Sequence, residues 1–433
     1  MESLSDTPWD VVIEGTGLQQ SLLALALSRS NKKVLHVDQN EYYGSSEAAF
    51  SLQDVDEWVE KVNTFDTKSF RNAAIWKSPT EAGKLGVSRA YTLTLSPQII
   101  YTKSKLLSQL VSSKVYKQLE FQAVGNWWIY DVSSVAALKR LPNGREDIFE
   151  DASIDNRSKR SLMKFLKFVV EYQNHGEIWE AVAENSFPAF LTSHFKLPES
   201  LQTVLVALTL SLDSPDDTPV GYALPRIQRH LSSIGLFGPG FGAVLPKWGG
   251  GAEIAQVACR AGAVGGGVYV LGTGIKSSQT NGEKTEVVLS NSETIVTKHL
   301  AHDPDNQRKP DTKAVSKVVA IVSSPFSTLF KSSVEGSPLA AVSFIVFPLR
   351  PSASKARLIR STLWHTQAKR ANVRQVNEQS LVSLDLAFHD EALEEVETKW
   401  NAIVESADEQ KPFMQFEERT GMTDEDDDNE NGY

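Results

Sequence analysis

Between Val11 and Asp38 the sequence runs through an apolar stretch, a glycine turn, a helical pattern, a second apolar stretch and an acid. No other segment constrains the fold as much. Val11-Val12-Ile13 ends at Gly15-Thr16-Gly17, and Leu18, Leu22, Leu25 and Ala26 then recur at helical spacing as far as Ser28-Arg29. Lys33-Val34-Leu35-His36-Val37 follows as a strand-like run closed by Asp38. Strand, glycine turn, helix and strand in that order open a parallel α/β sheet. The paired glycines allow a tight bend and close backbone approach, and the helix N-terminus behind them attracts anions. Here the turn reads Gly15-Thr16-Gly17-Leu18-Gln19-Gln20, with Gln20 where a third glycine would let helix and strand pack closely. Asp38 lies 21 positions after Gly17, where an acid can accept a ribose hydroxyl. Gly15, Gly17 and Asp38 therefore mark a dinucleotide-type turn. Gln20 argues against a tightly held flavin or nicotinamide, so the turn is expected to be vestigial and the chain to carry no cofactor.

The middle of the chain changes period. From about Asp151 to His230 the pattern is helical, with Leu162, Phe165, Leu166, Val169 and Val170 in one stripe that Met163 widens. Pro198-Glu199-Ser200 opens a further helix, with proline in its first turn, lined by Leu201, Val204, Leu205, Leu208 and Leu212. Its 204–212 stretch is apolar nearly all round, which calls for burial or an apolar pocket. Gly249-Gly250-Gly251 then precedes a helix carrying Ile254, Val257, Ala258 and Ala261, and Gly265-Gly266-Gly267 turns into the strand Val268-Tyr269-Val270-Leu271. More strand-like runs occur at 286–289, 318–322 and 342–346; 301–314 reads as a loop, and 392–404 as a last helix. The expected plan is a first part of a dinucleotide-fold domain over 1–140 and a helical domain over 141–232. The second part of the sheet domain follows over 233–410, with an acidic disordered tail over 411–433.

Composition narrows the function classes. The 433 residues are 41% hydrophobic and 23% charged, ordinary globular values. One cysteine, Cys259, excludes an internal disulfide and points to a reducing compartment; the thiol is expected to be a small buried apolar group. Eight scattered histidines give no metal-ligand spacing, so no metal site is expected. A net charge of −10 disfavours nonspecific binding to nucleic acid or anionic lipid. Part of that charge lies in Asp424-Glu425-Asp426-Asp427-Asp428. No apolar run reaches membrane-spanning length, the first ten residues lack the pattern of a secretory leader, and Asn431-Gly432-Tyr433 offers no cysteine for prenylation. A soluble cytosolic protein is expected. Neither a Gly-x-Ser-x-Gly elbow nor a His-Glu-x-x-His or P-loop motif occurs, so no catalytic residue is named.

Trp9-Asp10-Val11-Val12-Ile13-Glu14-Gly15-Thr16-Gly17-Leu18, with Lys33–Asp38 and Tyr42-Tyr43-Gly44, resembles the Rab GDP-dissociation inhibitor and Rab escort protein superfamily. A second match runs from Trp248-Gly249-Gly250-Gly251-Ala252-Glu253 through Gln256 and Arg260 to Gly266-Gly267-Val268-Tyr269. One residue is inserted there, and Ala255 replaces the family's proline. The resemblance covers 9–45 and 90–290 and is thin beyond 300, where the basic stretch 348–378 departs from the pattern. It implies a flavoenzyme-like α/β fold, of the FAD/NAD(P)-binding, Rossmann type, with a helical second domain inserted and no redox cofactor. It also implies a platform for GDP-bound Rab GTPases, which falls by position on Tyr43, Glu253 and Arg260. Glu253 and Arg260 are seven apart, two turns along one helical face.

Two branches of that superfamily differ in one contact. Inhibitors recycle prenylated Rabs, whereas escort proteins also present Rab to Rab geranylgeranyltransferase through a phenylalanine and an arginine on the helical domain. Arg145-Glu146-Asp147-Ile148-Phe149 and Lys159-Arg160-Ser161-Leu162-Met163-Lys164-Phe165-Leu166 resemble the escort version, placing those contacts on Phe149 and Arg160. The resemblance further implies an apolar groove for the geranylgeranyl group in the helical domain, delivery of the Rab to a membrane, and no catalysis by this chain itself. A recycling inhibitor remains the alternative, and a flavin oxidoreductase a third.

Overall fold

The structure is a computed structural model. It describes residues 4–64, 70, 72–75, 87–125, 127–130, 138–142, 145–211, 213–238, 240–303, 386–404 and 412–416, with short strand segments at 314–316, 345–346, 364–365 and 367–369. The strand expected at 318–322, most of that at 342–346, Leu212, most of the basic 348–378 stretch and the expected tail beyond 416 lie outside the described residues. The start of that expected tail needs correction, because Phe413 and Met414 are buried in the core that surrounds α1.

Strand β1 (Trp9–Glu14) leads through the glycine turn into helix α1 (Leu18–Ser28) and returns as β2 (Val34–Asp38). A helical region follows, with α2 (Arg145–Glu150), α3 (Asn156–Val170), α4 (Glu199–Leu208) and α5 (Val220–Ser233). Helix α6 (Gly251–Val264) then leads into β3 (Val268–Leu271), β4 (Ile275–Asn281), β5 (Lys284–Leu289) and β6 (Thr294–Ala301), and α7 (Asp390–Ile403) ends the described helices. The six strands form one sheet in the order β3-β2-β1-β6-β5-β4. The β3/β2, β2/β1 and β1/β6 pairs are parallel, whereas β6/β5 and β5/β4 are antiparallel. The expected α/β class holds, and β1–α1–β2 is the parallel crossover that the first 38 residues announce.

Helix α1 shows why. From Leu22 to Leu27 its sequence is wholly apolar, and every residue of the helix but Gln19 is buried. A helix without a polar face must be covered all round. The sheet covers one side of α1, while Ile254, Val257 and Ala258 of α6 and Ala392, Leu393, Val396 and Trp400 of α7 belong to the same core. Two polar bonds pin the layers: Gln19 Nε2–H donates to Ala392 O (3.1 Å), and Trp400 Nε1–H donates to Ser30 Oγ (3.0 Å). The opposite sheet face buries Trp9, Val12, Leu35, Val37, Val287, Leu289 and Ile295.

The helical region has a core of its own, running from Leu141 to Ile227 in sequence. Phe165, fully buried, lies 5.2 Å from Phe195 and 6.0 Å from Phe187, ring centre to ring centre. Asp155 starts α3 by accepting from the N–H groups of Arg157 (2.9 Å) and Ser158 (3.0 Å), the usual work of an N-cap carboxylate. Two details of the sequence reading need correction. The buried stripe of α3 is Leu162, Phe165, Phe168 and Val169, while Val170 is 49% exposed because it ends the helix. Pro198 is the residue capping α4 rather than part of its first turn, and the helix ends at Leu208, before Leu210 turns left-handed (φ 56°).

His36 of β2 and His230 of α5 are both buried without charge, and desolvation holds each imidazole down at about 4. The unfolded chain takes up protons on them below about pH 6.5, which the native state does not. Their contribution is therefore complete above pH 6.5 and shrinks as the pH falls towards 4, by roughly 3 kcal/mol per histidine at most. Denaturation midpoints are expected to fall from pH 7 to pH 5, above the carboxylate range; a flat profile there contradicts this assignment.

Candidate functional site

Gly15, Gly17 and Asp38 converge at the C-terminal ends of the parallel strands, where open α/β sheets bind ligands. Gly15 adopts φ +85°, a conformation open to glycine, and its N–H donates to Val37 O (2.8 Å). The acid expected to meet a ribose is engaged internally. Asp38 Oδ2 accepts from Thr16 N–H (2.7 Å), Thr16 Oγ1–H (2.6 Å) and Ser45 Oγ–H (3.1 Å), while Oδ1 accepts from Asn40 N–H (2.8 Å). The anion position at the start of α1 is also filled, because Leu18 N–H donates to Glu47 Oε2 (2.6 Å). A Cβ placed on Gly15 would lie 2.3 Å from Asp303 Oδ2. Three carboxylates thus surround the turn, two of them consuming its donors. These residues do not fit a dinucleotide pyrophosphate, which would need the place Glu47 takes and would meet its charge. Glu47 was not legible in the sequence, since it stands 29 positions from the amide it satisfies.

The same contacts build the neighbouring surface. Gly44 N–H donates to Thr16 O (3.1 Å) and Oγ1 (3.0 Å), tying the loop after β2 to the turn. Gly44 has φ +100°, and a Cβ there would lie 3.0 Å from the Ala252 Cβ of α6. Only glycine lets loop and helix approach this closely. Tyr43 next to it is half-buried; burial raises its phenol, Cys259 raises it further, and the nearby Arg260 guanidinium opposes both. Arg260 is exposed, two turns beyond half-buried Glu253. The structure therefore brings Tyr43 and Arg260 together beside α6, with Glu253 at the start of that helix.

Glu253 has a local task that the sequence reading missed. Its Oε2 accepts from Trp248 N–H (2.7 Å), and burial raises its carboxyl against that bond. Glu253 stands three residues after the capping Gly250, where a capping-box acid would bond the cap amide, but it reaches two residues further back, to Trp248. Trp248 itself is 54% exposed, with Lys247 Nζ 4.4 Å from its ring centre and paired to Glu120 at 2.9 Å. Cys259 is buried, its thiol pushed up to about 12 by desolvation and its Sγ 3.3 Å from Ser21 Oγ. It is an inert core residue, as expected. Among the described residues no group of three or more His, Cys, Asp or Glu could hold a metal, and no helix is long and apolar enough to cross a membrane.

The second pair of expected contacts lies on the helical region. Phe149 of α2 is 60% exposed, which rules out a role in the core, and Lys159 Nζ donates to its carbonyl (2.7 Å). Arg160 is exposed on α3 and makes no ion pair among the described residues.

The family model described as GDP dissociation inhibitor matches residues 5–334, which include both surfaces. The chain belongs to the GDP dissociation inhibitor family. Among curated proteins it is 34% identical over 344 residues to the Rab proteins geranylgeranyltransferase component A of Saccharomyces cerevisiae, covering 77% of this chain and 55% of the relative. The protein of the same description from Candida albicans is 36% identical over 266 residues, 61% of this chain and 41% of the relative. The chain thus spans about half the length of the curated relatives it matches. Among solved structures, a Rab GDI from Plasmodium falciparum superimposes with a TM-score of 0.50 at 21% identity, covering 72% of this chain and 69% of that one. The likeness extends to the fold.

Glu47→Ala leaves the Leu18 amide without its carboxylate at a buried helix start. It is expected to lower the unfolding free energy by about 1–3 kcal/mol in chemical denaturation. A loss below about 0.5 kcal/mol would show that the anion at this turn carries no structural weight.

Proposed function

We propose that this chain is a Rab escort protein, a non-catalytic accessory subunit that presents GDP-bound Rab GTPases to Rab geranylgeranyltransferase. The observation that carries this reading is the exposure of Phe149 on α2. A phenylalanine left 60% in water gains apolar burial when a partner covers it, and aromatic anchors of this kind dominate interface energetics. Arg160, exposed and without an ion pair among the described residues, supplies the charge beside such an anchor. Relatives named for the geranylgeranyltransferase component support the same branch of the family.

Rab binds at the loop after β2 and at α6. Tyr43 gives a half-buried aromatic contact, Arg260 an exposed guanidinium, and Glu253 fixes the helix start while presenting its remaining acceptor capacity. Exposed Trp248 extends the aromatic part of this platform. The prenyl chemistry belongs to the transferase. The helical domain, 141–232, shields the geranylgeranyl group until the cytosolic complex meets a membrane; each methylene taken from water is worth about 0.8 kcal/mol, so an unshielded chain of that length would aggregate. The second reading, a recycling GDP-dissociation inhibitor, uses the same platform without the transferase contact, and the family's own description favours it.

Crossed variants separate the two surfaces. Phe149→Ala is expected to weaken capture of the transferase at least 30-fold while leaving affinity for GDP-bound Rab unchanged, and Arg260→Ala is expected to do the reverse. Equal capture of transferase by wild type and Phe149→Ala removes Phe149 from the dock and returns the chain to the inhibitor branch.

A further inference from the structure

Helix α3 carries a row of cations on its outer side. Arg157, Arg160, Lys164 and Lys167 follow one another at steps of three and four residues, which stacks them along one helical face. All four are exposed, and none makes an ion pair among the described residues. At 1.5 Å per residue the row is about 15 Å long. The chain's net charge is −10, so this is a local field opposed to the global one. Charges more than about 8 Å away are largely screened at physiological ionic strength, and the row acts on whatever touches it. Glu171 is the acid that follows the row at the helix end.

A cavity of about 330 Å³ opens beside the C-terminal half of the row. Its apolar wall is Phe168, Ile178 and Phe195, two of them buried. Lys164, Lys167 and His194 stand exposed around it, with Lys164 Nζ 5.8 Å from the Phe195 ring centre; His175 and the single acid Glu171 complete the lining. Val170 at the end of the helix is 49% exposed. Cations over an apolar hollow suit a molecule with an anionic head and an apolar body. An acidic side chain alone would meet the lysines but would bring no apolar body to cover Phe168, Ile178 and Phe195.

We propose that this face of α3 docks on a bilayer surface containing anionic phospholipid. Lys164 and Lys167 meet the headgroup phosphates, and the Phe168–Phe195 hollow takes the upper part of a lipid chain. The proposal deepens the escort reading by naming the surface that meets the membrane, and it rests on that reading for its biological use. Arg160 lies in the same row, so transferase and bilayer would compete for one face.

The test is flotation of the full chain, without Rab or transferase, on vesicles of phosphatidylcholine alone or with phosphatidylserine. Wild type is expected to bind the phosphatidylserine vesicles and not the neutral ones. Lys164→Gln/Lys167→Gln is expected to lose roughly 30-fold in that binding, and Lys164→Arg/Lys167→Arg to retain it. Equal binding of wild type to both vesicle types, binding to neither, or undiminished binding by the glutamine variant overturns the proposal. Loss of transferase capture by the glutamine variant with vesicle binding unchanged would assign the row to a protein partner instead. Vesicle binding is read with neither partner present, so its failure leaves the escort reading to be judged on transferase capture.

Discussion

A helix N-terminus inside a protein needs an anion, and here the chain provides its own. The first amides of α1 point into the place where dinucleotide folds hold a pyrophosphate, and Glu47 takes it with a 2.6 Å bond from Leu18 N–H. Asp38 does the same for Thr16. Much follows from these two carboxylates. Glu47 and Ser45 belong to the loop after β2, so satisfying the turn anchors that loop, and anchoring it sets Gly44 against Ala252 of α6. Tyr43 is thereby held next to Arg260. The bonds that close the cofactor position are the bonds that shape the proposed Rab platform.

Rigidity is arranged around that point. Helix α1 is buried on all sides between sheet, α6 and α7, so the turn at its start has little freedom to shift. The helical region, with an aromatic core separate from the sheet, carries exposed Phe149 and the exposed cations of α3. The proposed Rab surface is thus built from an anchored loop and a helix, while the helical region offers an exposed aromatic side chain and exposed positive charge.

Local patterns were legible in the sequence, and long-range pairings were not. The β1–α1–β2 crossover could be read because Val11-Val12-Ile13, Gly15-Thr16-Gly17 and the α1 leucines each carry their own signal within a few residues. Helix α6, with Glu253 and Arg260 two turns apart, was legible for the same reason. The roles of Asp38 and Glu47 were hidden because their partners are 22 and 29 positions away. Phe168 and Val170 changed places relative to the expected stripe, since a periodic pattern does not reveal which side of a helix end the neighbouring elements cover. Glu253's bond to Trp248 did have a signal, an acid three residues after the capping glycine.

Reconstituted prenylation tests the central claim most directly. Rab, geranylgeranyl diphosphate and Rab geranylgeranyltransferase are combined with and without this chain, and lipid incorporation is followed over time. Rab is expected to be prenylated on addition of the chain and not without it. No prenylation on addition, together with extraction of already prenylated Rab from membranes, would contradict the claim and make the chain a recycling inhibitor.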